Sequence, residues 1–197
     1  MLTLFGIALA AGLALGIALG GRPRRLAELR LRGQSLALAG VLIQVAMGRM
    51  PRSLRPTALG LSLVLVATWL AVNRTQPRGV ALGFAAVGAG LALNAIVIVA
   101  NGMMPVEPAA LRGAGISGSV NVAQGHHAKH LLAGSSTRLA FLDDRLPIRA
   151  LHAVVSVGDL VLLAGIAGVI AFAMRPGHSS PLVATQAAPA PTRVRPA

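Results

Sequence analysis

Polar residues set inside apolar runs are where this chain could do chemistry. Asp159 lies in Ser156-Val157-Gly158-Asp159, within a long apolar stretch, with Ser156 three and His152 seven residues ahead of it. At helical spacing those three side chains share one face. Asn94 and Asn101 are also seven apart in a second apolar stretch, and Gln44 sits inside a third. A carboxylate in a low-dielectric setting is costly unless it is paired, hydrogen-bonded or protonated. Such a group points either to an ion, proton or ligand site or to a polar clamp between helices, and both readings stay open. His126 and His130, four apart in His126-His127-Ala128-Lys129-His130, are weak candidates for a shared metal, because zinc takes three or four ligands. The run lacks the glutamate of the HExxH protease motif, so a basic interfacial loop is the better reading and no metal or other cofactor is expected.

Two glycine patterns need different treatment. Gly12, Gly16 and Gly20 recur every four residues, with Ala8 extending the row. A small-residue face of this kind lets another backbone approach closely, in bundle packing or in self-association. Gly113 to Gly118 fits GxGxxG, but that fingerprint has meaning only between a strand and a helix. It follows an apolar helix here and reads as loop.

The elements that must position these residues are written in the composition. The chain is 55% hydrophobic and 12% charged, with a mean hydropathy of +0.73. A soluble domain carries about 25% charged residues, so lipid is the expected solvent. The net charge of +13 comes from 17 Arg and one Lys. With 3% aromatic residues and no Tyr, base stacking has little to work with, and no nucleic-acid partner is expected. Arginines between apolar runs are better explained by topology and by anionic lipid headgroups, which makes the bilayer the expected partner. Absence of Cys excludes disulfides, thiolate metal sites and cysteine nucleophiles.

A spanning helix needs about 20 mostly apolar residues. Five stretches approach this: 2–20, 35–50, 57–72, 80–100 and 153–174. The expected fold is therefore an all-α membrane protein, a bundle of about five transmembrane helices. It occupies residues 1–175, with an ordered extracytoplasmic loop (101–152) between helices four and five and a disordered cytoplasmic tail over 176–197. The first run has no basic residue before it and Arg22, Arg24, Arg25, Arg30 and Arg32 after it, the reverse of a signal peptide. That places the N-terminus outside and the C-terminus in the cytoplasm, with Arg49, Arg52 and Arg55 the strongest counter-argument. From the outer ends, Asn94 and Asp159 would lie about 10 Å deep and Gln44 about 9 Å, so three helices would each bring a polar side chain to one level.

The pieces Asn94 through Val106, Lys129-His130, Thr137-Arg138-Leu139, Phe141 to Asp144 and Ser156 to Asp159 together resemble a family of small multi-pass bacterial membrane proteins, domain of unknown function 5317. The likeness spans nearly the whole chain and departs from the family at Asp143, where Gly is common. It implies residence in the bacterial plasma membrane and an organised cap over residues 101–152, but no activity. It also adds Lys129, His130, Arg138 and Asp144 to the polar pocket expected around Gln44, Asn94, Asn101, His152, Ser156 and Asp159. The leading expectation is a non-enzymatic protein that binds or passes a small molecule, ion or lipid at this outer-leaflet pocket. A structural or assembly subunit, joined to a membrane-protein partner or to its own copies through the Gly12-Gly16-Gly20 face, is the alternative. An enzyme using His130, Asp144 and Asp159 ranks last.

Overall fold

The computed structural model describes residues 2–116 and 130–175. Six α-helices are found among them: α1 (Leu2–Ala18), α2 (Gln34–Ala46), α3 (Arg55–Val72), α4 (Arg78–Asn101), α5 (Pro108–Gly113) and α6 (Val157–Ala173). Two small sheets accompany them. Strands β1 (Met104–Val106) and β2 (His130–Leu132) pair in parallel, and β3 (Leu146–Ile148) and β4 (Ala153–Val155) pair antiparallel.

This corrects the expected all-α bundle of five spanning helices. The fold is mixed α/β, and among the described residues only α3 and α4, of 18 and 24 residues, are long and apolar enough to cross a membrane. Helices α1 and α6 have 17 residues each and α2 has 13, so at 1.5 Å per residue they reach about 20–26 Å against about 30 Å of hydrocarbon. Apolarity alone does not separate helix from strand or turn, and the apolar runs were therefore longer than the helices they contain. Ala153–Val155 pairs with Leu146–Ile148, and α6 starts only at Val157. Met47–Arg49 tightens into a 3-10 turn that ends α2 early. The fragment from His130 is a strand in register with Met104–Val106. The tail from 176 onward lies outside the described residues.

Helix α6 is the central element, packed between α1 and α4. It runs antiparallel to α4, and small residues bring the two backbones together. A Cβ at Gly90 would sit 2.5 Å from the Gly158 carbonyl oxygen, and one at Gly165 would sit 2.6 Å from the Val87 nitrogen. Helix α1 runs parallel to α6, where a Cβ at Gly12 would meet the Ala167 carbonyl oxygen at 2.8 Å. Helices α2 and α3 form a hairpin with a lighter contact to α4.

At one end of the molecule, Val80, Phe84 and Ala173 form a buried cluster with Leu26, Leu29, Leu31 and Trp69 packed on it. Trp69 meets Phe84 edge to face at 5.2 Å, a favoured aromatic geometry. At the other end the two sheets and α5 form a cap between α4 and α6, with Val106 and Leu111 at its centre.

Candidate functional site

The cap end holds two connected polar networks. The first joins α4 to the start of α6. Ser156 caps α6 with an extended backbone, its Oγ accepting from the Asp159 N–H at 3.0 Å while the Asp159 carboxylate accepts from the Ser156 N–H at 3.2 Å. This is a reciprocal capping box, and the carboxylate also lies where the helix N-terminus favours negative charge. Asn94 crosses from α4 to close the network, its Nδ2 donating to Asp159 Oδ1 at 2.8 Å and its Oδ1 accepting from Ser156 Oγ at 2.9 Å. A Cβ on Gly158 would collide with the Asn94 side-chain oxygen, so glycine there is what lets Asn94 reach in.

The second network fastens the cap. Gly102, with φ of 78°, ends α4 in a left-handed turn, a conformation that glycine adopts at little cost. Asn101 then acts as a backbone mimic: its Nδ2 donates to the Val97 and Arg138 carbonyls, both at 2.9 Å, and its Oδ1 accepts from the Arg138 N–H at 2.8 Å. Asp144 works similarly through its main chain, donating to the Pro105 carbonyl and accepting from the Glu107 N–H, both at 2.9 Å.

The side chains of Asp143 and Asp144 are sealed in the cap, 0% and 3% exposed. Asp144 Oδ2 lies 3.3 Å from His130 Nε2 on β2, but its Oδ1 is buried without a hydrogen-bond partner among the described residues. Asp143 Oδ1 lies 3.4 Å from Arg145 Nε without hydrogen-bond geometry, so both of its oxygens are buried and unsatisfied among the described residues. Burial pushes both carboxyls above the ordinary carboxylate range. For Asp144, His130 opposes this by hydrogen bond and charge, while the nearby Asp159 charge adds to it. For Asp143, Arg145 opposes it, and the Glu107 and Asp144 charges add to it. Four of the chain's five acidic residues thus meet where the cap rests on α4 and α6. Among the described residues no group of three His, Asp or Glu side chains is arranged to hold a metal ion.

The structure brings Asn94, Ser156 and Asp159 together, and places Asn101, His130 and Asp144 in the adjoining cap. Gln44 is elsewhere: its Nε2 donates to Ser62 Oγ at 2.8 Å, and Ser62 donates to the Gly40 carbonyl at 2.9 Å, locking α2 to α3. Arg138 contributes its main chain, and its side chain is exposed. His152 is exposed at the start of β4, in a left-handed conformation with φ of 45°. Lys129 and His126 lie outside the described residues. Gly12 and Gly16 face α6, whereas Gly20 has φ of 74° and open space about it. Sequence reasoning left Asp143 out of the expected pocket. A tandem Asp143-Asp144 in so acid-poor a chain was the available signal. It also passed over Asn73, 1% exposed and bonded to both Arg32 and Trp69.

A family model described as a family of unknown function (DUF5317) matches residues 28–171. No curated protein and no solved structure matches the chain. The matched span covers α2 through nearly all of α6, including the strands and both polar networks of the cap end, so the chain belongs to the DUF5317 family.

Proposed function

We propose that the protein resides in a membrane with α3 and α4 crossing it, and that its cap binds a small cation or a proton at Asp144, beside Asp143 and His130. The single observation that carries the binding site is the pair of sealed carboxylates whose oxygens are left unsatisfied among the described residues. Native proteins leave few buried polar atoms unpaired, and those they leave often serve a proton or an ion. Residence in lipid is supported by the outward apolar side chains of both long helices: Leu61 and Val64 on α3 and Leu82, Ile96 and Val99 on α4 are all more than half exposed. Asp159 has a different part in this reading. Its network with Asn94 and Ser156 is closed, which suits a clamp holding the cap in place.

The test is thermal unfolding of the purified full chain in detergent, with sodium, ammonium or calcium chloride added at matched ionic strength and with pH varied. At least one cation or acidification should raise the melting temperature of the parent, and Asp144→Asn should remove most of that response. A response equal in parent and variant would rule out Asp144 as the site.

A second reading, assembly with another membrane protein or with a second copy, is favoured by one feature. Leu38, Val41, Leu42 and Val45 form an exposed stripe at helical spacing on α2. Val41→Asn with Val45→Asn would weaken a detergent-stable oligomer under this reading and leave a monomer unchanged.

A further inference from the structure

The segment joining α1 to α2 is an ordered strap. Pro23–Glu28 winds as a 3-10 turn, and Leu26, Leu29 and Leu31 pack on the cluster of Val80, Phe84 and Ala173. Main-chain bonds hold both ends: the Arg22 N–H donates to the Met174 carbonyl at 2.9 Å, and the Arg32 N–H donates to Asn73 Oδ1 at 2.9 Å. Asn73 Nδ2 returns a bond to the Arg32 carbonyl at 2.9 Å, and Gln76 Nε2 donates to the Arg30 carbonyl at 3.0 Å. The strap therefore laces together the ends of α1, α3, α4 and α6 that point away from the cap.

With the leucines inward, the arginines face outward. Arg22, Arg24, Arg30 and Arg32 are exposed, and Arg74 and Arg78 on the neighbouring helix ends join them. None of these six forms an ion pair among the described residues. The strap itself carries one acid, Glu28. A row of cations held at fixed positions by backbone bonds and buried leucines, at the end of apolar helices, is complementary to a plane of phosphates. The use of Arg fits this, since its planar fork binds phosphate oxygens two at a time.

We propose that the strap is a docking ledge for the phosphates of anionic phospholipid headgroups in the leaflet opposite the cap. The proposal rests on residence in a membrane. Arg24, Arg30 and Arg32 supply the contacts, and their positions come from main chain and leucines, so the ledge keeps its shape when those side chains change.

The experiment uses the full chain purified in a mild zwitterionic detergent, titrated with short-chain phosphatidylglycerol, phosphatidylcholine or inorganic phosphate, with bound lipid counted by native mass spectrometry. Phosphatidylglycerol should bind in preference to phosphatidylcholine, and high salt should erase the preference. Replacing Arg24, Arg30 and Arg32 together by Gln should weaken phosphatidylglycerol binding about a hundredfold, from the contribution of each basic side chain at an anionic surface. The Lys version of the triple variant should fall in between, and Arg112→Gln with Arg149→Gln, in the cap, should bind like the parent. Equal binding of the two lipids, an undiminished Gln variant, or equally tight binding of inorganic phosphate would overturn the ledge. Should the Gln variant not fold, the Lys variant and the lipid preference of the parent decide the matter. A chain that leaves washed membranes at high pH without detergent would instead overturn membrane residence, a separate failure.

Discussion

At the scale of single residues, the cap spends free energy on buried charge that the rest of the chain avoids. Asp143 is the clearest case, because its carboxylate is sealed, has no hydrogen-bond partner among the described residues, and faces Arg145 while the charges of Glu107 and Asp144 lie close. Asp143→Asn keeps the shape and removes the charge, and should stabilise the protein at neutral pH by on the order of 1 kcal/mol, read as a higher melting temperature in detergent. Because burial raises the folded values of Asp143 and Asp144 above the ordinary 3.8, the folded cap binds protons more tightly than the unfolded chain. Its stability is therefore full below that ordinary value and falls as pH rises through the raised folded values. Melting temperature should drop between pH 4 and neutrality, and the drop should shrink in the double variant Asp143→Asn with Asp144→Asn. Asp159 behaves differently, since its two oxygens take separate donors, Asn94 and the Ser156 N–H. Asn in its place retains one acceptor, so Asp159→Asn should cost about 1–2 kcal/mol by thermal unfolding. Loss of cap binding with unchanged stability would reverse the roles assigned to Asp144 and Asp159.

At the scale of elements, the α4–α6 contact is set by glycines that face backbone. A methyl at Gly90 meets the Gly158 oxygen and the Leu162 nitrogen at 2.5 and 2.6 Å, atoms that move only if the helices part. Gly90→Ala should destabilise by about 1–3 kcal/mol. Gly60 on α3 has nothing within 4 Å of such a methyl, so Gly60→Ala should be neutral or stabilise by up to about 1 kcal/mol. Paired thermal melts of the two variants check this. The same contrast explains what could be read in the sequence. Helices α3 and α4 were legible because long, mostly apolar runs follow Pro56 and Pro77. The shared face of Asn94 and Asn101 was legible from helical spacing, whereas Ser156 and Asp159 were read as lying inside a helix that in fact begins at them. Gln44 was grouped with the wrong helices because depth along a helix says nothing of which neighbour faces it. The strands were hidden because Met104–Val106 finds its partner at His130–Leu132, a pairing that no local pattern encodes.

At the scale of the whole molecule, chemistry is divided between two ends. Carboxylates gather in the cap, where α4 ends and α6 begins, and arginines gather on the strap at the opposite helix ends. Apolar side chains face outward along the helices between them. In the proposed membrane setting, cap and strap lie on opposite sides of the bilayer, because α4 runs from one to the other. The absence of Cys makes a direct measurement possible. Single variants Ser135→Cys in the cap and Ala27→Cys on the strap, both at exposed positions, can be treated in intact cells with a membrane-impermeant maleimide. With the cap outside, Ser135→Cys should label at once and Ala27→Cys only after the membrane is permeabilised. Labelling of both positions to the same extent in intact cells, or of neither, would show that cap and strap do not lie on opposite sides of a membrane.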